Sequence, residues 1–240
     1  MYVFAETRKG IGNNDNEDRI VVGTTILSNG IYRCESQTGA IAVIDGVGGN
    51  NAGGIASHFI ANRLGEIETC SKQFFEHINN ELINYSETNI SCRNMATTAS
   101  GIYRNDNEIY CFHIGNSRVY SILAGNYLKQ LTEDDTTLNY LIKTGKLEPD
   151  SDLISIDKNE ITSCFGAGNP SIFNIKINLI SDAQAFLLTT DGIHDFVSID
   201  ELEKILQDED CLSSCCSKII DQAVENGSSD DLSVIIVIRK

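Results

Sequence analysis

Basic residues are scarce in this sequence. The 240-residue chain has 18 lysines and arginines against 34 aspartates and glutamates, which gives a formal net charge of −16 at pH 7. Such an excess of negative charge repels a phosphate backbone, whereas nucleic-acid-binding proteins usually present a basic face. The charge therefore argues against nucleic-acid binding. Hydrophobic residues make up 41% of the chain, which is typical of a globular protein and too apolar for a disordered acidic tail.

Signals for membranes, secretion and disulfides are missing as well. No apolar run approaches 18 residues, and the first residues lack a basic segment followed by an apolar run, so neither a membrane span nor a signal peptide is predicted. The eight cysteines form no CxxC pair and no metal-ligand spacing. We interpret them as small core residues, and we predict a reduced, cytoplasmic compartment.

Short runs of β-branched and aromatic residues, bounded by glycine, asparagine or aspartate, predict strands. These runs cover 40–44, 99–104, 108–114, 118–123, 127–131, 171–180, 185–189 and 232–238. The connections at 105–107 and 124–126 are only three residues long. Such connections suit antiparallel hairpins, because parallel strands need longer crossovers.

Helical periodicity of apolar residues marks segments 52–67, 72–85, 136–144, 199–206 and 212–224. Ser198 and Glu201 have the spacing of a capping box, which predicts a helix start there. Helices thus flank a meander of strands, which predicts an α+β domain with helices packed outside antiparallel sheets. With two prolines, no repeat and no low-complexity run, no linker is visible. Residues 1–240 are predicted to form one domain, with 135–174 as an inserted flap.

Aspartates recur at the ends of the apolar runs. Asp45 follows the run 40–44, Asp191 follows 185–188 after two threonines, Asp230 precedes the last strand, and Asp18 precedes another apolar run. An Asp-Gly pair alone is a common turn. Four acidic strand ends in one small domain, however, repel each other unless cations lie between them. Oxygen ligands of this kind select Mg²⁺ or Mn²⁺.

Seven short motifs occur in order along the chain. They are Asn16-Glu17-Asp18, Asp45-Gly46-Val47-Gly48-Gly49, Ala96-Thr97-Thr98, Gly115-Asn116-Ser117-Arg118, Leu131-Thr132-Glu133-Asp134, Thr190-Asp191-Gly192 and Asp230-Asp231-Leu232-Ser233. In order and spacing, nearly the whole chain resembles the metal-dependent protein phosphatases of the 2C type, the PPM family. Val47 stands where eukaryotic members carry a histidine, so the sequence looks like a bacterial-type member.

The resemblance implies a fold and a metal centre. The fold would be an α+β, two-layer antiparallel β-sandwich flanked by helix pairs, in the order α-β-β-α. Two ions, Mn²⁺ or Mg²⁺, would be bound per chain. Asp45 would bridge both ions, the carbonyl of Gly46 would bind one, and Asp191 and Asp230 would bind the other.

The same resemblance implies a mechanism. Asp18, with Glu17 beside it, would hold metal-bound waters from behind the ions. Two adjacent ions can lower the pKa of a shared water, which would then attack a phosphomonoester without a covalent enzyme intermediate. The residues assigned to catalysis in this way are Asp18, Asp45, Asp191 and Asp230. The insert 135–174 resembles a mobile flap beside the family's active site.

Three positions depart from the family pattern. Asn13 stands where an arginine usually clasps the substrate phosphate, and Arg8 or Arg19 could compensate for it. Asn116 replaces an aspartate that supports a third metal in bacterial members. Asp135 stands where the family usually has a histidine, and the sequence assigns it no role.

The leading hypothesis is a metal-dependent phosphatase that acts on phosphoserine or phosphothreonine. The alternative is a pseudophosphatase or weakly active phosphoprotein-binding regulator, which Asn13 and Asn116 favour. A third hypothesis is a narrow regulatory phosphatase that acts on a single partner protein. The expected partner is a phosphoprotein modified by a serine/threonine kinase, with no nucleic-acid or membrane partner, and the chain is expected to be a monomer.

Overall fold

The computed structural model describes residues 1–35, 38–47, 52–106, 108–148, 160–168, 172–208 and 212–239. Within these residues the strands are β1 (Tyr2–Arg8), β2 (Arg19–Val22), β3 (Thr25–Leu27), β4 (Gly30–Glu35), β5 (Gly39–Ile44), β6 (Gly46–Val47), β7 (Ala96–Thr97), β8 (Ala99–Arg104), β9 (Ile109–Ile114), β10 (Arg118–Ile122), β11 (Leu128–Gln130), β12 (Lys176–Ile180), β13 (Ala185–Thr189) and β14 (Leu232–Ile238). The α-helices are α1 (Ala52–Gly65), α2 (Lys72–Thr88), α3 (Thr137–Lys143), α4 (Asp191–His194), α5 (Ile199–Asp208) and α6 (Leu212–Glu225).

Two six-stranded antiparallel sheets form the body of the protein. Sheet 1 has the strand order β11-β10-β13-β14-β1-β4, and sheet 2 has the order β12-β9-β8-β5-β2-β3. Every pairing within them is antiparallel. Helices α5 and α6 pack on sheet 1, and α1 and α2 pack on sheet 2. The predicted α+β sandwich with outer helix pairs is confirmed.

Central strands such as β5 and β14 carry mostly apolar residues because both of their faces are buried. Along β14, Ile235 and Val237 pack between the two sheets, whereas Val234 and Ile236 pack under the α5–α6 layer. This alternation is the two-residue period of a strand, in which successive side chains point to opposite faces. The continuous apolar runs in the sequence therefore mark strands covered on both sides.

Most predicted elements occur within a few residues of their predicted bounds, but the sequence analysis missed several. It assigned no strand to β1, β3 or β4; β4 is a sheet edge on which exposed and half-exposed residues alternate. It also missed the one-turn helix α4, so Asp191 is the first residue of a helix and not a strand end. The predicted strand 171–180 begins only at Lys176, and residue 171 lies outside the described residues.

Three smaller predictions are also tested by the structure. The capping box is confirmed, because the Glu201 amide donates to Ser198 Oγ at 3.3 Å while the Ser198 amide donates to Glu201 Oε2 at 2.9 Å. All cysteines in the described part of the chain are free thiols. Among the same residues, no helix is both long and apolar enough to cross a bilayer.

Candidate metal centre

Antiparallel pairing places four chain segments at one end of the sandwich. In sheet 2, β2 begins beside the end of β5, with Arg19 opposite Ile44, so Asp18 and Asp45 are neighbours. In sheet 1, β13 ends where β14 begins, which brings Asp191 close to Asp230. Strand β5 lies against β13 and β14 across the interface between the sheets. The acidic cluster formed here consists of Asp18, Asp45, Asp191, Asp230 and Asp231.

Burial, together with repulsion between carboxylates, raises the pKa values of Asp18, Asp45, Asp191 and Asp230. Burial, with repulsion from Asp191 and Asp18, raises the pKa of Asp45 well above its ordinary value. Burial also raises the pKa of Asp18 strongly. Burial, with repulsion from Asp230, raises the pKa of Asp191 to about 6. Crowded carboxylates of this kind are stabilised either by protons or by cations between them.

Glycines allow the loops of the site to approach each other closely. A Cβ atom at Gly46 would overlap the backbone of Gly53, and a Cβ atom at Gly53 would overlap Gly46. Likewise, a Cβ atom at Gly192 would overlap the carbonyl oxygen of Asp231. The Asp45–Gly46 turn is thus packed on the start of α1, and the start of α4 is packed on the segment before β14. The glycine after each aspartate is required by this contact.

Two of the sequence motifs hold the backbone of Asp45. Thr97 Oγ1 donates to the Asp45 carbonyl at 2.6 Å, and the Thr98 amide donates to the same carbonyl at 2.9 Å. The Asp45 amide in turn donates to Thr98 Oγ1 at 3.2 Å. Thr98 Oγ1 is also hydrogen-bonded to Ser117 Oγ at 2.9 Å. Thr97, Thr98 and Ser117 therefore position the backbone of Asp45.

Asn116 contacts the other side of the cluster. Its Nδ2 donates to Asp191 Oδ2 at 2.8 Å, which opposes the rise in the pKa of Asp191. Asn116 is buried, and its Oδ1 atom has no hydrogen-bond partner among the described residues. The amide that replaces a family aspartate thus provides a donor to Asp191 and adds no negative charge.

Asp18 is buried behind the other carboxylates. Thr190 Oγ1 donates to Asp18 Oδ2 at 2.8 Å and accepts the Ser233 amide at 3.0 Å. Thr190 stands between β13 and Asp191, so it connects Asp18 to the two segments from sheet 1. Asp18 is therefore held by the segment that carries Asp191, and its role toward metal-bound waters stays a prediction. Glu17 faces the start of α1, where the Gly54 amide bonds to its carboxylate.

Asp231 is a buried carboxylate of the cluster to which the sequence analysis gave no role. It is 5% exposed, and its two oxygens accept from the Gly10 amide at 2.7 Å, Asn13 Nδ2 at 3.0 Å and the Glu17 amide at 2.6 Å. These contacts fix the loop before β2. The Asp-Asp pair before β14 was the only available signal, and it does not say which of the two carboxylates faces inward.

Asn13 lines the cleft at the acidic cluster, which has a volume of about 300 Å³ and is also lined by Asp191, Asp195, Phe196, Ser229 and Asp230. Arg8 does not compensate for the missing arginine, because Glu6 and Asp221 each bind it at 2.6 Å. The guanidinium of Arg19 donates to the carbonyls of Asn16 and Asp18, each at 2.6 Å. Neither arginine lines this cleft.

Asp135 ties the base of the predicted flap to the site. Lys176 Nζ lies 2.5 Å from Asp135 Oδ1, the Gly115 amide donates to Asp135 Oδ2 at 3.2 Å, and the Asp135 amide donates to the Gly115 carbonyl at 2.7 Å. Gly115 directly precedes Asn116, which contacts Asp191. Within the flap, α3 and residues 160–168 are described, whereas 149–159 and 169–171 lie outside the described residues. Asp135 therefore has the structural role that the sequence left unassigned.

The donor set fits hard cations that keep part of their hydration shell. Among the described residues, no group of three or more His, Cys, Asp or Glu side chains is close-set enough to hold a metal ion by itself. Asp191 and Asp230 instead line a cleft of about 300 Å³, and burial together with repulsion from neighbouring carboxylates raises their pKa values. Mg²⁺ usually keeps several waters and takes only one or two carboxylates. Carboxylates spaced around such a cleft suit ions bound in this way.

The fold and the acidic cluster together define the class of this protein: it belongs to the protein phosphatase 2C family, whose sequence profile matches residues 29–233. It is similar to the serine/threonine phosphatase stp of Listeria monocytogenes, with 25% identity over 252 residues that cover 100% of this chain and 96% of that protein. The fold is that of the serine/threonine phosphatase PstP/Ppp of Mycobacterium tuberculosis, with a TM-score of 0.82 at 22% identity and full coverage of both chains. It is also similar to the PstP catalytic domain in complex with two manganese ions, with a TM-score of 0.75, 22% identity and 98% coverage of each chain.

Proposed function

We propose that this protein is a metal-dependent phosphoprotein phosphatase that hydrolyses phosphoserine and phosphothreonine with a metal-activated water. The observation that carries the proposal is the acidic cluster, in which both sheets contribute mutually repelling carboxylates at one end of the sandwich. Family membership and the names of the relatives support the same activity. Residues 1–240 would act as one catalytic domain, because the inter-sheet core includes residues from Met1 to Val237.

The metal ligands would be Asp45, the Gly46 carbonyl, Asp191 and Asp230, with two ions, Mn²⁺ or Mg²⁺, per chain. The PstP catalytic domain, described with two manganese ions, supports this number. Such a pair of ions lowers the pKa of bound water toward neutrality and offsets the charge of a phosphoryl group. Asp18, held by Thr190 behind the cluster, would accept hydrogen bonds from waters on the ions.

The chain's own residues would orient the phosphoryl group and exclude covalent chemistry. Asn13 lines the cleft, and its Nδ2 is held by Asp231, so its side chain can contact a phosphate only weakly. Two serines that the sequence motifs place near the site are committed elsewhere, since Ser57 Oγ donates to the Glu17 carbonyl at 2.5 Å and Ser117 Oγ bonds to Thr98. Neither serine has a basic partner that would make it a nucleophile.

A metal-dependent turnover assay tests the proposal. Hydrolysis of p-nitrophenyl phosphate and of a phosphothreonine peptide should require Mn²⁺ or Mg²⁺ and stop in excess EDTA. Asp45→Asn should remove both activity and metal binding measured by calorimetry, whereas the matched control Asp182→Asn, at an exposed aspartate, should change neither. Full turnover in EDTA would overturn the proposed mechanism. Metal binding without any turnover would instead favour a phosphoprotein-binding regulator.

A further inference from the structure

The two ligands proposed for one of the ions, Asp191 and Asp230, lie outside the paired part of sheet 1. Pairing of β13 with β14 ends at Thr189 opposite Val234, so the strand register does not fix either aspartate. Asp191 begins the one-turn helix α4, and Asp230 lies in the segment between α6 and β14. Because the ligands of a metal site must be held at a defined separation, other contacts must set the distance between these two segments.

Ser228 connects the two segments directly. It is only 2% exposed, and its Oγ atom donates to the carbonyl of Gly192 at 2.8 Å. Gly192 follows Asp191 in the chain, and Ser228 precedes Asp230 by two residues. This hydrogen bond therefore joins the backbone beside one ligand to the backbone beside the other.

The backbone of Ser228 is fixed to the end of α6. Its amide donates to the Ala223 carbonyl at 2.9 Å, and the Gly227 amide donates to the Val224 carbonyl at 3.0 Å. Gly227 has a φ of +98°, and the two bonds form the Schellman motif that ends many helices. Since α6 packs on sheet 1, the hydroxyl of Ser228 projects from a rigid support.

Close backbone contacts surround this hydrogen bond. A Cβ atom at Gly192 would overlap the Asp231 carbonyl oxygen, and a Cβ atom at Gly10 would overlap the backbone at Asp230. The segment that carries Asp230 is thus packed between α4 and the loop that follows β1. The Ser228 hydroxyl holds α4 in this contact.

The carboxylates of both ligands are oriented by the residue that follows each of them. The Gly192 amide hydrogen-bonds to the Asp191 carboxylate, and the Asp231 amide donates to Asp230 Oδ1 at 2.7 Å. Gly192 therefore contacts Asp191 through its amide and Ser228 through its carbonyl. A shift of Gly192 would change the direction of the Asp191 carboxylate.

We propose that Ser228 is a positioning residue of the metal centre, whose hydroxyl holds Gly192, and through it Asp191, at the separation from Asp230 that one ion requires. The inference rests on the proposed phosphatase function. Ser228 contacts neither the ion nor the substrate and acts only through the backbone of Gly192. Loss of its hydroxyl should therefore weaken the binding of one ion without removing a ligand.

Calorimetric titration with Mn²⁺ tests this role. Ser228→Ala should weaken the affinity for one of the two ions about tenfold, the effect typical of residues that orient metal ligands. The Mn²⁺ concentration that gives half-maximal hydrolysis of p-nitrophenyl phosphate should rise by the same factor. At saturating Mn²⁺ the rate should return close to that of wild type, because all ligands remain. Ser228→Cys, which has a weaker donor, should lie between the two proteins and replaces the alanine variant if that variant does not fold.

Ser86→Ala is the matched control. Ser86 is also buried, and its Oγ atom donates to the Cys92 carbonyl at 2.8 Å, but it lies on α2 over the other sheet. Each substitution removes one buried bond between a hydroxyl and a carbonyl, so the two should lower the midpoint of urea unfolding in EDTA by similar amounts. Only Ser228→Ala should change the affinity for Mn²⁺, whereas a purely structural serine would change stability alone.

The outcomes separate this inference from the proposed function. An unchanged Mn²⁺ affinity in Ser228→Ala, or an equal loss of affinity in Ser86→Ala, would overturn the positioning role. An absence of EDTA-sensitive hydrolysis in wild type would overturn the phosphatase function, and the Mn²⁺ titrations would still test Ser228. A wild-type protein that binds no Mn²⁺ would overturn both.

Discussion

Buried or half-buried aspartates of this protein differ in whether cations and hydrogen-bond donors surround their carboxylates. Asp134 and Asp135 are compensated, the first by the Arg118 guanidinium at 2.6–3.0 Å and the second by Lys176 and the Gly115 amide. Asp45, by contrast, receives no hydrogen bond on its carboxylate within the described residues and faces other carboxylates. A fold that compensates Asp134 and Asp135 so fully leaves Asp45 uncompensated at a cost in stability, which is typical of a binding site.

The largest effect on activity is expected from a substitution of Asp45, whose carboxylate has no donor within the described residues. Asp45→Asn removes a ligand expected to bridge two ions, so activity should fall about 10³-fold, equivalent to several kcal/mol of transition-state stabilisation. The same change removes repulsion in the metal-free protein and should stabilise it by about 1–2 kcal/mol. Thermal unfolding in EDTA measures the second effect. A lower melting temperature for the variant would show that the cluster is not repulsive.

Asp231 sharpens the comparison because it belongs to the cluster but is compensated by three N–H donors. Asp231→Ala leaves the Gly10 and Glu17 amides without their acceptor, so the free energy of unfolding should fall by about 2–4 kcal/mol. Urea denaturation in EDTA gives this value. Asp45→Asn in the same assay is the reference, and the two variants should differ in sign. Equal signs would mean that the two aspartates are in similar environments.

The pH dependence of the metal-free protein provides a third test. The pKa of Asp191 is raised from 3.8 to about 6, so the folded state binds a proton that the unfolded state has lost between about pH 4 and 6. Stability should therefore decrease as pH rises through this window, by on the order of 2 kcal/mol, or about 4–8 °C in Tm. With saturating Mn²⁺ the trend should reverse, because metal ions bind the ionised carboxylates. Calorimetry at pH 4.5 and 7 with and without Mn²⁺ measures both trends.

The sequence predicted the convergence of four aspartates of the acidic cluster better than it predicted the roles of Asp231 and Asp135. Asp18, Asp45, Asp191 and Asp230 stand next to apolar runs, and an antiparallel sandwich brings such positions to one end, so their convergence could be expected. Asp231 and Asp135 could not be assigned in this way. Asp231 accepts a hydrogen bond from Gly10, which is more than 200 residues away in the chain, and Asp135 binds Lys176, which is about 40 residues away. These contacts follow only from the complete topology.

Two of the missed elements, β4 and α4, lack a local pattern for physical reasons. Strand β4 has no apolar alternation of its own because it is a sheet edge, and the short helix α4 is stabilised by the packing of Gly192 on Asp231 and not by helical periodicity. Strands with both faces buried, such as β5 and β14, are recognisable because nearly all of their positions are apolar. Local pattern therefore identifies the body of the sandwich, and long-range contacts determine its edges and loops.

The smallest effect on activity is expected from a substitution of Asn13, which lines the cleft with Asp191 and Asp230. An arginine at this position would face Asp231, Asp191 and Asp230, so part of its charge would pair with carboxylates in the free protein. With a phosphopeptide bound, its fork of N–H donors could contact the phosphate in a bidentate way. Asn13→Arg should therefore lower KM for a phosphothreonine peptide about three- to tenfold and change kcat little. Asn84→Arg, which adds the same charge at an exposed position on α2, controls for net charge and should leave KM as in wild type. An unchanged KM in a folded Asn13→Arg protein would show that the acidic cluster, and not the substrate, holds the new guanidinium.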